Sequence, residues 1–374
     1  MVNKQRVLTD FFELVKIKCS TKDERQVSDI LKARLVELGM EVTEDKTGEK
    51  IGGNCGNVIA YTKGTVDAPA LMLTAHMDCV EPCGGIKPQL NDGIITSVGD
   101  TILGGDDKAG IVAILEALRL IGEKNISHGP IQVIFTVAEE GGLNGAKNID
   151  PAALKADFGY AFDSGGAPGE IINMAPGQNS INVVVHGKKA HAGVAPEDGI
   201  NAIVVAGKAM AELNYGRIDF ETTSNIGLIS GGVATNIVPD MVELKCEARS
   251  RNMEKLEIQT HYMKETFERV AAANGARAEV TVEKAYGPYV LMEDAPVVTL
   301  AVKASQSIDL TPEIKATGGG SDANFFNNYG VPTAVLGVGM SKVHTTDEYI
   351  KEVDLYNSAE LVVALIKTAA AMKK

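Results

Sequence analysis

No stretch of this chain concentrates lysine and arginine. Across 374 residues, Lys+Arg number 36 against 49 Asp+Glu, a formal net charge of -13, so there is no basic face to neutralise phosphates and nucleic acid is excluded as a partner. No apolar run approaches the length of a membrane span, and the opening MVNKQRVLTDFFELV lacks the uninterrupted apolar segment of a secretory signal. The expectation is a cytoplasmic protein without a membrane partner. The cysteines are few, odd in number and scattered, at Cys19, Cys55, Cys79, Cys83 and Cys246, which excludes a disulfide framework and points to reduced thiols. Cys79 and Cys83 form a C-x3-C pair, but two thiols do not fill a four-ligand structural zinc site and no second pair exists. There is no low-complexity tract and no internal repeat. With 45% apolar residues, the chain has the material for a large core and the length for two domains.

The segment STKDERQVSDILKARLVELG reads as an amphipathic helix. Ser20 or Thr21 serves as cap, Val27, Ile30, Leu31, Leu35 and Leu38 share one face, and Gly39 closes it. The runs 70–75, 131–137 and 158–162 are apolar without alternation, and the helical stretch 108–121 is apolar on most sides. Strands of that kind are covered on both faces, so this part is α/β, with a mostly parallel mixed sheet flanked by helices. From residue 181 to about 286 the character changes. In MVELKCEARS, Val242, Leu244, Cys246 and Ala248 alternate with Glu243, Lys245, Glu247 and Arg249, as in a sheet with one wet face. The order βαββαβ over this stretch predicts a ferredoxin-like α+β domain inserted at 176–290, with 1–175 and 291–374 forming the first domain.

Chemistry gathers where the apolar runs stop. The stretch FTVAEEGGLNGA ends a buried run with two adjacent carboxylates, Glu139 and Glu140, a crowding of like charge that a cation or a shared proton would relieve. LTAHMD supplies His76 and Asp78, spaced so that both point to one side of an extended chain. Asp78 then suits fixing the imidazole of His76 from behind. GGDDKAG supplies Asp106 and Asp107, AFDSGG supplies Asp163, and VHTTDE supplies His344. In an open α/β sheet the carboxyl ends of the strands form the ligand crevice. Two imidazoles with several carboxylates suit zinc, cobalt or manganese. The donors exceed what one tetrahedral ion needs, and two ions roughly 3.5–4 Å apart, sharing one carboxylate, would use them.

The motifs HMD, GGDDKAG, AEEGGLNGA, FDSGG, KKAHAG, TNIVPD, GGGSDANFF and HTTDE occur in the order and context of the dizinc peptidase superfamily that contains peptidase T, aminoacylase-1 and glutamate carboxypeptidase. The whole chain is similar to its peptidase T-like branch. The resemblance implies that His76, Asp106 and Asp163 ligate one metal and Asp106, Glu140 and His344 the other, with Asp106 as the bridge. It implies that Glu139 is the general base toward water held by the ions, and that the peptide between Asp106 and Asp107 is cis. It also implies that the inserted domain is a lid, through which a homodimer forms. There His191 stabilises the oxyanion, Asn236 and Arg249 hold the substrate carboxylate, and the loop with Gly319, Gly320 and Ser321 touches substrate. From pattern alone Arg249 is a solvated sheet residue. Tripeptidases of this type carry an arginine immediately before the glycine pair, whereas Ala316 and Thr317 precede Gly318 here, so peptide length is left open. The implied activity is hydrolysis of short peptides by a two-metal aminopeptidase. The alternative is an N-acyl-amino-acid amidohydrolase or carboxypeptidase-type enzyme of the same superfamily.

Overall fold

A computed structural model describes residues 1–372. The chain divides into two compact units. The first comprises residues 1–173, 291–316 and 321 onward, and the second 174–290 with 317–320. The short stretch Thr317–Gly320 is thus grouped with the inserted unit, whereas the sequence pattern places all of 291–374 in the first domain.

In the first unit the apolar runs become the middle of a large sheet. Its order is Glu41–Glu44, Val58–Thr62, Ile131–Thr136, Leu71–His76, Phe158–Ser164, Thr333–Gly337, Glu170–Ala175. The four strands from Ile131–Thr136 to Thr333–Gly337 are parallel, and antiparallel strands flank them. Every residue of Leu71–His76 and of Ile131–Thr136 is buried. A strand projects alternate side chains to opposite faces, so both faces must be covered. On one, Met72 and Ile134 pack with Ala146, Ile149 and Phe326; on the other lies the helix Gly105–Lys124, itself backed by Glu352–Ala370. No helix among the described residues is long and apolar enough to cross a membrane.

The second unit has the strand order Gly216–Arg217, Thr222–Gly231, Met241–Ser250, Gly177–His186, Arg277–Tyr286, with every pairing antiparallel. The four long strands follow the ferredoxin-like βαββαβ path. Gly177–His186 alternates buried and half-buried residues along its whole length. Its inward set, Ile181, Val183 and Val185, joins Val242, Leu244, Leu256 and Phe267 in one core under the helices Ala202–Glu212 and Met253–Ala273. Asn201 and Asn252 cap those helices, accepting from Val204 N–H and Lys255 N–H at 3.1 Å each.

Two local expectations differ. The amphipathic helix begins at Arg25, not at residues 20–21, and has no side-chain cap. The hydroxyls taken for caps are engaged elsewhere: Thr21 donates to Asp78 at 2.7 Å and Ser20 to Glu81 at 2.5 Å. The strand expected to reach Val137 ends at Thr136. Ala138 then takes a left-handed conformation, φ 49°, so Glu139 and Glu140 lie in a turn.

Candidate metal centre

Three strand ends, the head of the helix Gly105–Lys124 and one C-terminal loop of the first unit bring the acidic and imidazole clusters together. His76 is the last residue of Leu71–His76. Its Nδ1 lies 3.0 Å from the backbone oxygen of Asp78 and 3.4 Å from that residue's carboxylate, which leaves Nε2 to face Asp106 Oδ1 at 3.0 Å and Asp163 Oδ1 at 3.8 Å. The other oxygen of Asp106 lies 3.4 Å from His344 Nε2, and that nitrogen is 2.8 Å from Glu140. One carboxylate thus presents each of its oxygens to a different imidazole. Donor atoms of His76, Asp106 and Glu140 all lie within 4.8 Å of one another, as do those of His76, Asp107 and Asp163.

Asp106 and Asp107 divide the work within their pair. The peptide between them is cis, and both depart from helical backbone angles at the head of Gly105–Lys124. Asp107 turns inward, accepting from Gly110 N–H at 3.1 Å and His76 N–H at 3.2 Å, so it caps the regular helix and ties it to the histidine strand. The glutamate pair is held by Asp78, which accepts from Glu139 N–H at 3.0 Å and Glu140 N–H at 3.3 Å.

The charges are out of balance. Asp78, Asp106, Asp107, Glu139 and Asp322 are buried around two imidazoles. Burial, then the nearby Asp163 charge, pushes the Glu139 carboxyl far above its usual range. Burial likewise raises Asp163 and Asp107. Asp106 goes the other way: burial is overcome by hydrogen bonds from His344 and His76, which hold it well below the usual carboxylate range. The same contacts to Asp106 and Glu140 lift His344 to about 10. Burial opposes a charge on His76, yet its bonds to Asp106 and Asp78 keep it well above the ordinary histidine value. Oxygen and imidazole donors that converge in this way, with like charges crowded among them, fit divalent cations.

Several supports come from residues to which the sequence assigns no metal or catalytic role. Glu348 is buried, and its two oxygens accept from Leu103 N–H and Gly104 N–H at 2.8 Å and from Asp106 N–H at 3.1 Å; its only sequence signal is its place in HTTDE. Glu24 accepts from Ala138 N–H at 2.9 Å and is pushed up to about 7, chiefly by burial. Asp322 takes the Thr136 hydroxyl at 2.5 Å on one oxygen, while its other oxygen and the Ser321 hydroxyl are buried without a hydrogen-bond partner among the described residues.

The remaining candidates belong to the second unit. His191 forms an isolated bridge with Ile237, and Ala192 N–H donates to the carbonyl of Asn236 at 3.0 Å, so His191 and Asn236 lie on adjoining segments. Arg249 is held by Glu247 at 2.9 and 3.0 Å. Gly319 is followed by Gly320, where a Cβ would come within 2.4 Å of the Tyr286 ring; only glycine fits there.

Residues 72–368 match the family described as Peptidase family M20/M25/M40. The structure is similar to aminopeptidase PepT from Bacillus cereus, with 46% identity, 99% of each chain covered and a TM-score of 0.92. It is also similar to a tripeptidase from Staphylococcus aureus, with 41% identity, 100% of each chain covered and a TM-score of 0.97. Peptidase T of Escherichia coli O9:H4 is 26% identical over 391 residues, covering 95% of this chain and 94% of that protein.

Proposed function

The chain belongs to peptidase family M20/M25/M40 and is a metal-dependent peptidase, and on that premise we propose that it is a peptidase T-like aminopeptidase acting on short peptides. The observation that carries the reading is Asp106, whose two oxygens face His76 and His344 separately. Two divalent cations would be held by His76, Asp106 and Asp163 and by Asp106, Glu140 and His344, supplying Lewis acidity toward water and the scissile carbonyl. The imidazole-containing donor sets favour zinc, with cobalt or manganese next.

The protein's own groups do the rest. Asp78 fixes the His76 tautomer with the proton on Nδ1, leaving Nε2 free to donate its lone pair. Its hold on the Glu139 and Glu140 amides sets where both carboxylates point. Glu139 takes the proton of the attacking water on a carboxylate oxygen and returns it to the leaving amine nitrogen. The inserted unit acts as lid, with His191 donating to the oxyanion and Asn236, Arg249 and the Gly319–Ser321 loop binding substrate. Arg249 already carries Glu247 as its partner, so binding a substrate carboxylate requires it to share or exchange that one.

Dimerisation through the inserted unit is part of the same reading. It is supported by the Thr222–Gly231 strand, whose pairing with Gly216–Arg217 stops at Ser224, leaving an edge that bears Leu228 at 63% and Ile229 at 50% exposure. Free, buried cysteines support a reducing, cytoplasmic setting.

The test is hydrolysis of a free-amine tripeptide beside its N-acetylated form, before and after chelation and again after zinc is returned. The reading expects cleavage of the free amine only, lost with the metal and recovered with it. Cleavage of the blocked peptide alone would transfer the chain to the N-acyl-amino-acid amidohydrolase or carboxypeptidase-type class.

A further inference from the structure

All five cysteines are buried and free, but two that are distant in sequence meet in space. Cys19 Sγ lies 3.7 Å from Cys79 Sγ, and Cys79 N–H donates to the Cys19 carbonyl at 2.9 Å, so the two backbones already run at strand-pairing distance. Against them lies Lys108, whose side chain is fully buried. Its ammonium donates to the Met77 carbonyl at 2.5 Å and to Cys79 Sγ at 3.3 Å, and among the described residues it has no carboxylate hydrogen-bond partner.

A buried cation without a counter-charge is costly. The Lys108 ammonium lies 3.3 Å from the Cys79 sulfur, which is itself 3.7 Å from the Cys19 sulfur, and so sets positive charge beside the thiol pair. The hydrogen bond with Cys79 and, against burial, the charge of Lys108 bring Cys19 down to about 6. Two other cysteines show the contrast: burial raises Cys55 to about 12 and Cys246 to about 11. Thiolate character decides which cysteine reacts with oxidants.

We propose that Cys19 and Cys79 are an oxidative modification site, converted by a hydroperoxide into a disulfide that switches off the neighbouring centre. The Cys19 thiolate attacks one peroxide oxygen, the O–O bond breaks, and hydroxide leaves, giving a sulfenic acid. Cys79 sulfur then attacks Cys19 sulfur; the S–S bond forms, the S–O bond breaks, and the departing hydroxide takes the remaining thiol proton as water. Two electrons pass from the sulfurs to the peroxide, and one water and one hydroxide form for each disulfide, the hydroxide from the first step taking its proton from solvent.

Closing the sulfurs from 3.7 Å to a bond of about 2.05 Å draws Cys79 away from Lys108 and from the Asp106 carbonyl, which its thiol meets at 3.5 Å. Cys79 also follows directly on Asp78, which orients His76 and both glutamates. Oxidation therefore pulls on the segment that supports the centre.

The effect on activity rests on the peptidase reading, whereas formation of the bond does not. The experiment treats the reduced, metal-loaded protein with hydrogen peroxide, maps cysteine pairing by mass spectrometry of a non-reducing digest, and follows tripeptide hydrolysis in the same samples. Expected are a Cys19–Cys79 cross-linked peptide, a loss of roughly tenfold or more in rate, and recovery with dithiothreitol. Cys19→Ser should remain active in peroxide, as should untreated protein, while Cys55→Ser should respond as the parent does. Absence of the cross-linked peptide, a different pairing, or an oxidised protein of undiminished rate would overturn the inference. A reduced protein that forms the bond yet hydrolyses no peptide would refute the peptidase reading and leave the modification site standing.

Discussion

The two larger sheets of this chain treat polar side chains in opposite ways. In the first unit Leu71–His76 and Ile131–Thr136 are buried at every position, so the interior of the sheet has no place for chemistry and the polar groups collect where the strands stop. In the second unit Met241–Ser250 is inward at Val242, Leu244, Cys246, Ala248 and Ser250 and outward at the positions between. Its polar groups are spread along a face and paired locally, as Arg249 is with Glu247. A sheet covered twice concentrates charge at its ends, where repulsion creates demand for a cation; a sheet covered once lets solvent dissipate it.

The sharpest way to break this contrast is at the turn that follows a doubly covered strand. Glu139→Gln should keep its metal, checked by elemental analysis, and lose about 10²–10⁴-fold in kcat on a tripeptide, the usual contribution of a general base. Retained turnover would remove Glu139 from the chemistry. In the second unit the effect should be structural and depend on face: Leu244→Ala, at 1% exposure, should cost about 2–5 kcal/mol in urea unfolding, while Glu243→Ala on the other face should stay within about 0.5 kcal/mol.

Between these lies the supporting layer. Asp78→Asn replaces an oxygen that accepts from the glutamate amides, and should lower kcat or metal affinity by about 10–100-fold while the fold persists; titration calorimetry with zinc separates the two. The smallest effect belongs to a carboxylate with nearby cations. Burial disfavours the Glu44 anion, but hydrogen bonds from Arg25 and Lys32 outweigh it and bring its pKa from 4.5 to about 2. A depressed folded-state value means stability that is present above pH 4.5 and lost as pH falls toward 2. Both cations are partly exposed, Arg25 at 39% and Lys32 at 27%, so solvent screens the pairs and Glu44→Gln should cost about 1 kcal/mol or less near neutrality. The difference from parent protein should shrink on acidification below 4.5.

What could be read in the residues follows the same division. Alternation in MVELKCEARS and its absence in 131–137 disclose which faces are covered, because burial acts on every second residue or on all of them. The motifs that bear His76, Glu140 and Asp163 are legible because each stands at the end of such a run, whereas Asp106 at a helix head and His344 in a loop are marked only by their residue types. The supports are not. Glu348 serves amides at Leu103, Gly104 and Asp106, and a bond to a main chain more than two hundred residues away leaves no local pattern. Thr21 was misread for a related reason: a hydroxyl ahead of an amphipathic run is the ordinary signal of a helix cap, and nothing nearby reveals that Asp78 claims it instead.

Glu348 has a consequence in time as well as space. It gathers the amides around Asp106 from a point 242 residues further along the chain, and His344 comes from the same stretch. A ribosome-bound fragment that stops short of them lacks both an imidazole and the clasp on the aspartate turn. Hydrolytic competence would then wait until residues 344–348 have been made, sparing unfinished polypeptides nearby from a half-built peptidase.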